Sequence, residues 1–185
     1  MKKIINFICL KEPETRKILR KWWNSMGEDH GARARLRRAE RADDVLLTEP
    51  FFQFLQKMPA WWSEPTNLPA SALVAAALAH VKDNNEDKSF AAQLAMPKKG
   101  SEKPCMSELR FQQLQKSRDP DEFFRRLLRA IRMVENRVNI ESLADNILHW
   151  MKEYRFGIDR RPQKRLAFLW ANEYYTTISK TSNHA

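Results

Sequence analysis

Apolar residues recur at spacings of three and four along most of this chain, the period of a helix with one buried face. Ile18, Leu19, Trp22 and Trp23 mark such a face in a helix expected over Pro13–Met26. Phe51, Phe52, Phe54 and Leu55 mark another, opened by Thr48-Glu49-Pro50, where proline in the first turn gives up an N–H that has no helical partner anyway. Pro59 and Pro65 bracket a loop holding Trp61 and Trp62. From Ala70 to Val81 the run is alanine-rich and shorter than the ~20 residues a membrane span needs, so it reads as a tightly packed core helix started by Pro69. A shorter helix holds Phe90, Leu94 and Met96.

The second half is punctuated more sharply. Asp119 is placed to cap a helix with Pro120 at its first position and Glu122 reaching back as a capping box. That helix should end near Val134–Arg137. Asn139 caps the next, with Leu143, Ile147, Trp150, Met151 and Tyr154 at helical spacing. The last runs from about Pro162 to Ile178, with Leu166, Leu169, Trp170 and Tyr174 inward. Only four glycines are present, too few for the turns of an all-β fold. The expected architecture is all-α: an N-terminal helical lobe over 1–96, a short basic linker over 97–106 rich in Pro and Lys, and a C-terminal helical lobe over 107–185.

Charge changes the picture from fold to partner. The chain has 185 residues, with 33 Lys and Arg against 23 Asp and Glu, for a net charge of +10. Such an excess attracts polyanions, nucleic acid first and an anionic membrane surface second; the plain alternative is a solubilising surface. Met1-Lys2-Lys3 followed by Ile4–Leu10 briefly imitates a signal peptide. The run is broken by Asn6 and leads into Lys11, Glu12 and Pro13 without a cleavage site. Cys9 and Cys105 share no spacing with each other or with a histidine, so neither a disulfide framework nor a zinc site is expected, and a cytoplasmic location fits.

The basic residues are grouped. Arg33, Arg35, Arg37, Arg38 and Arg41 form an all-arginine cluster, and guanidinium forks match phosphate oxygens bidentately. Glu40, Asp43 and Asp44 follow, so part of it is open to internal pairing. Lys98, Lys99 and Lys103 lie in the linker, with Arg110, Lys116 and Arg118 beyond it. On the capped helix, Arg125, Arg129 and Arg132 fall on one stripe beside the apolar face of Phe124, Leu127, Leu128, Ile131 and Val134, while Arg126 points elsewhere. Arginines that snorkel over a core edge would give the same pattern without binding anything. Arg155, Arg160, Arg161, Lys164 and Arg165 sit in a helix connection, where complementing a helix C-terminus is the favoured reading. The residues singled out for nucleic acid are Arg37, Arg38, Lys99, Arg110, Lys116, Arg118, Arg125, Arg129 and Arg132.

Catalytic and metal signatures are missing. His30, His80, His149 and His184 are far apart, and there is no His-Glu-x-x-His, Cys-x-x-Cys, Gly-rich phosphate loop or Gly-x-Ser-x-Gly elbow. Glu141, Asp145 and His149 stack at i, i+4 and i+8, a column expected to be a solvated helix face. The tryptophan pairs Trp22-Trp23 and Trp61-Trp62 could stack bases, but burial is favoured. No enzyme activity, cofactor, metal, small-molecule substrate or membrane contact is expected.

Three segments carry a resemblance. Gly31-Ala32-Arg33-Ala34-Arg35-Leu36-Arg37-Arg38-Ala39 is similar to a "small-x-Leu-Arg-Arg" signature. Glu108-Leu109-Arg110-Phe111-Gln112-Gln113-Leu114, with the helix bearing Arg125–Arg132, is similar to an "Arg-Phe-x-x-Leu … Leu-x-Arg-Leu" core. Asn139-Ile140 through Leu143–Trp150, and the closing Trp170–Tyr175, complete the order. The chain thus resembles the CasB small subunit of the type I-E CRISPR Cascade surveillance complex. The resemblance implies two helical lobes and a head-to-tail pair of copies beside the other Cascade subunits. It also implies contact with the guide RNA, target DNA and displaced single-stranded DNA, and no catalytic residues. Arg38, Arg110 and Arg129 match the family's basic positions best. The segment Ser89–Leu94 lacks the family's usual Gly and basic residue, for which Lys88 or Lys98–Lys99 could substitute, and the residues before Pro13 match nothing in it. A helix-turn-helix regulator is a rival, weakened because Asp121 and Glu122 open the most basic helix. An adaptor meeting acidic protein partners is another.

Overall fold

The computed structural model describes residues 5, 7–98 and 100–182. Among them are ten α-helices and two strands of two residues each: α1 (Pro13–Glu28), α2 (His30–Arg37), α3 (Ala42–Leu46), α4 (Glu49–Lys57), α5 (Leu68–Ala79), β1 (Asp83–Asn84), α6 (Phe90–Ala95), α7 (Glu108–Gln115), α8 (Pro120–Met133), β2 (Arg137–Val138), α9 (Ile140–Phe156) and α10 (Leu166–Ser182). Short 3-10 turns cover Ala60–Ser63 and Pro162–Lys164. The fold is all-α, as the periodicity predicts. None of these helices is long and apolar enough to cross a membrane.

The alanine-rich segment becomes α5, with every residue from Ala70 to Ala79 buried. A helix apolar on all sides must be surrounded, and α1, α2, α3, α4, α8 and α9 all pack on it. Small alanine side chains let these neighbours approach closely. Aromatic rings pack in two groups. Trp22 meets Phe54 edge-on at 4.5 Å, and Phe54 meets Trp62 at 5.3 Å. In the other group Phe111 stacks on Tyr174 at 4.1 Å, and Phe123 lies flat on Trp150 at 4.2 Å. Trp22 and Trp62 are therefore core residues, and Trp23 is half-buried, donating its indole N–H to Leu78 O.

One buried cluster runs through both halves of the chain. α6 packs against α10, and α5 against α9. The segment between α6 and α7 is closed rather than extended. Pro97 and Pro104 form an antiparallel bridge, Lys98 N donates to Lys103 O at 3.1 Å, and Met106 N returns to Leu94 O at 2.9 Å. Gly100 supplies the left-handed turn at its tip (φ +76°). Lys99 lies outside the described residues, as does His184.

Two local expectations need correction. Asp119 caps α8 by accepting from Glu122 N at 2.8 Å, but the Glu122 carboxylate reaches one residue further back, to Arg118 N at 2.7 Å, so the reciprocal box is shifted. The column on α9 is not solvated: Glu141, Asp145 and His149 are 8%, 2% and 4% exposed. Asp145 accepts from the backbone N–H groups of Ile8, Cys9 and Leu10 at 3.1, 2.6 and 2.7 Å. Glu141 is held by Arg16 and Arg20, and His149 Nε2 lies 3.1 Å from Glu153. The helix face that looked polar is an inward face that anchors the chain before α1. Unpaired carboxylates could not be buried this way; these are paired.

Candidate nucleic-acid interface

α8 sets the site. Its apolar residues Phe123, Phe124, Leu127, Ala130 and Ile131 are buried, which forces Arg125, Arg129 and Arg132 outward. None of these three side chains has an ion pair or hydrogen bond among the described residues. Arg126 does point elsewhere. It is half-buried, pairs with Glu122 at 2.8 Å and donates to Gln113 O, tying α8 to α7.

A groove of about 870 Å³ opens where the last turn of α8 faces the 85–88 turn and the start of the 97–106 loop. Its cations are Lys88, Lys98, Arg129, Arg132 and Arg137, against the two carboxylates Asp87 and Glu135. Met96, Pro97, Met133 and Val134 give it an apolar floor. A second hollow of about 230 Å³ is lined by Arg110, Leu114, Arg126, Arg129 and Met133. Arg129 and Met133 line both, so Arg110 from α7 joins the same basic surface.

The turn after α8 shapes this groove. Glu135 and Asn136 both adopt positive φ, +58° and +61°. Asn136 O then accepts from Lys82 N at 2.8 Å, and β1 pairs with β2 in parallel, Asp83 opposite Arg137. The strand pair swings Arg137 to the groove wall, 3.8 Å from Asp83. Arg137 was missed as a site residue because it lies past the helical stripe, and its register depends on a pairing 54 residues distant in sequence. In the sequence Lys88 stands out only as a substitute for a missing basic residue.

The first arginine cluster divides. Arg33 donates from Nε to Ala79 O at 2.9 Å and also to Val81 O, covering the carbonyl end of α5; its burial and the neighbouring Arg37 both lower its pKa. Arg35 pairs with Glu49 at 3.1 Å, and Arg41 with Asp121 on α8 at 3.0 Å. Arg37 and Arg38 are exposed at the end of α2 with no side-chain partner among the described residues. Burial, and after it the charges of Arg37 and Arg132, lower the pKa of His80 at the end of α5. Lys116 and Arg118, at the end of α7 and in the turn before α8, are exposed and also unpaired, but neither lines the groove. Arg125 is likewise outside it. In the third group, Arg155 donates to Thr66 O, Arg161 pairs with Asp159, and Arg165 donates to Asp159 O at 2.8 Å, so these three guanidiniums are engaged within the fold.

No cluster of three or more His, Cys, Asp or Glu side chains suited to a metal is present among the described residues. The thiol of Cys9 is pushed up to about 12 by burial and by Asp145, which makes it a poor nucleophile.

Neither the curated proteins nor the solved structures yielded a significant match. A family model did: that of CRISPR-associated protein Cse2, over residues 32–175. The matched span takes in the arginine cluster, the central helix, the groove and most of α10, the same stretch on which the sequence resemblance rests. The chain therefore belongs to the Cse2 family, the CasB-type small subunit of the type I-E Cascade complex, a structural subunit and not a known enzyme family.

Proposed function

We propose that this chain is a non-catalytic subunit that holds nucleic-acid backbone in the groove between α8, the 85–88 turn and the 97–106 loop, and so steadies the guide-RNA/target-DNA R-loop and its displaced strand in antiviral defence. One observation carries the reading. Arg110, Arg129 and Arg132, singled out from the sequence as nucleic-acid candidates, line the groove and the hollow beside it and have no carboxylate partner among the described residues. Guanidiniums left unpaired beside an apolar floor suit phosphates with bases lying inward. In this reading the lobes 1–96 and 107–185 flank the groove, and the linker 97–106 contributes Lys98. The partners are the other Cascade subunits, a second copy of the chain, and the three nucleic-acid strands, all in the cytoplasm.

Replacing a DNA duplex by a guide-RNA hybrid is nearly balanced in energy, so a few backbone contacts suffice to tip it. The test is reconstitution of the complex with wild-type chain or with Arg129→Ala/Arg132→Ala, followed by chemical probing of unpaired thymines in the target. The expected result is normal assembly with a reduced open fraction. Equal opening in both complexes would refute the reading.

A further inference from the structure

Away from the groove, three aromatic rings lie in a nearly parallel series that leads out of the core. Trp150 and Tyr154 are four residues apart on α9, so they share a face. Phe123 of α8 is parallel to Trp150 within 3°, with ring centroids 4.2 Å apart. Trp150 is parallel to Tyr154 within 9°, at 5.3 Å. The series runs outward: Phe123 is 0% exposed, Trp150 7% and Tyr154 51%. Tyr154 has no further ring contact among the described residues. The core thus fixes the plane of a tyrosine ring that is left half open to solvent.

Trp150 and Tyr154 line a hollow of about 190 Å³. Gln115 and Ser117, from the end of α7, and Ile158 and Leu166, which bound the connection from α9 to α10, contribute to its lining. Glu153, the carboxylate in that lining, is engaged within the fold: it accepts from Leu166 N at 2.9 Å and lies 3.1 Å from His149 Nε2. Lys116 and Arg118 flank Ser117 in the chain. Both are exposed, and neither side chain has a partner among the described residues. The acids that follow them are engaged too. Asp119 caps α8, and Glu122 accepts from the backbone N–H of Arg118 and pairs with Arg126. The hollow adjoins the basic surface: Arg126, which lines the small hollow beside the groove, lies 3.5 Å from Ser117 Oγ.

We propose that Tyr154 is a stacking platform for one unpaired base of the bound strand, with Lys116 and Arg118 holding the phosphates beside it. The proposal rests on the nucleic-acid reading above and adds to it a contact for a base, where the groove holds backbone. Every base has a π-face, so such a platform accepts any sequence, and it requires a base that is out of its pair. A base laid on Tyr154 continues the order Phe123–Trp150–Tyr154 and covers apolar surface that the fold leaves open. Because the rings beneath hold Tyr154 in place, little side-chain freedom is lost on binding. The charges favour a nucleic acid over an apolar protein segment as occupant. Two unpaired cations next to the hollow match the phosphates of a strand, and these are the two cations at the end of α7 that the groove does not use.

The test measures binding of the full chain to an oligothymidylate and to an abasic oligomer of the same length. Tyr154→Ala should weaken oligothymidylate binding about tenfold and leave its salt dependence unchanged, because stacking releases no counter-ion. Tyr154→Phe should bind like wild type. Lys116→Ala/Arg118→Ala should instead flatten the slope of log affinity against log salt by about 1.4. On the abasic oligomer, Tyr154→Ala and wild type should bind alike. If Tyr154→Ala matches wild type on oligothymidylate while Arg129→Ala/Arg132→Ala weakens binding, the platform is wrong and the groove stands. The platform is equally wrong if Tyr154→Ala lowers only assembly with other protein subunits, which would make this patch a protein interface. If the wild-type chain binds neither oligomer, both readings fall. Should the alanine variant fail to fold, photo-cross-linking of the wild-type chain to a bromodeoxyuridine oligomer decides the matter. An adduct is expected at Tyr154 by mass spectrometry, and adducts confined to groove residues would overturn the platform.

Discussion

At the scale of single residues, the buried polar groups are where sequence and structure diverge most. Asp145 looked solvent-facing because its helical column is polar, yet it binds three consecutive backbone N–H groups. Asp145→Ala would leave those donors stranded, at a cost of about 3 kcal/mol or more. The chain before Pro13 should then become protease-sensitive, a change that mass spectrometry of a limited digest would reveal; an unchanged digest would count against the anchor. Glu135 makes a different case. It holds φ +58° at a turn where a side chain is strained, so Glu135→Gly should stabilise the fold by about 0.5–1 kcal/mol, read from the denaturant midpoint. His80 has an acid signature of its own. Its folded pKa, about 4, lies below the usual histidine value. The unfolded chain therefore binds the proton first, so stability is full above about pH 6.5 and is lost as pH falls toward 4, by about 3 kcal/mol in all. His80→Gln should flatten that part of the pH–stability curve; an equally steep loss in the variant would show that other groups carry it.

At the scale of elements, α8 shows what periodicity reveals and where it stops. Alternation of Phe124, Leu127 and Ile131 with Arg125, Arg129 and Arg132 was enough to place one buried and one basic face, and to set Arg126 apart. Because Arg126 spends its charge on Glu122 and Gln113 O, Arg126→Ala should destabilise by about 1 kcal/mol and leave nucleic-acid affinity unchanged. Arg129→Ala should do the reverse. Paired melting and binding measurements on the two variants check both arms. Composition, not periodicity, placed α5, whose alanine-rich run after Pro69 is buried on every side. Long-range features were not legible. The β1–β2 pairing that brings Arg137 to the groove, and the closure of 97–106 on Leu94 and Met96, depend on contacts that no local pattern encodes. Pairing was hidden for the same reason. Arg33, Arg35, Arg37, Arg38 and Arg41 look alike in sequence, and only the positions of Ala79, Glu49 and Asp121 decide which are spent.

At the scale of the whole molecule, a positive charge of +10 is not what makes the site. Much of that charge is neutralised in place or used to brace helices, including Arg155, Arg161 and Arg165. What distinguishes the groove is that cations from three separate segments, around Lys88, Lys98 and Arg129–Arg137, converge there over an apolar floor with few carboxylates, and Arg110 adjoins them in the hollow that shares Arg129 and Met133. A single continuous core holds those segments in register. The most direct test of this account is the salt dependence of single-strand binding by the wild-type chain and by Arg110→Ala/Arg129→Ala/Arg132→Ala. Each lost phosphate contact should lower the slope of log affinity against log salt by about 0.7, so the triple variant should bind more weakly at low salt and with a slope flatter by about 2. An unchanged affinity and an unchanged slope would contradict the account.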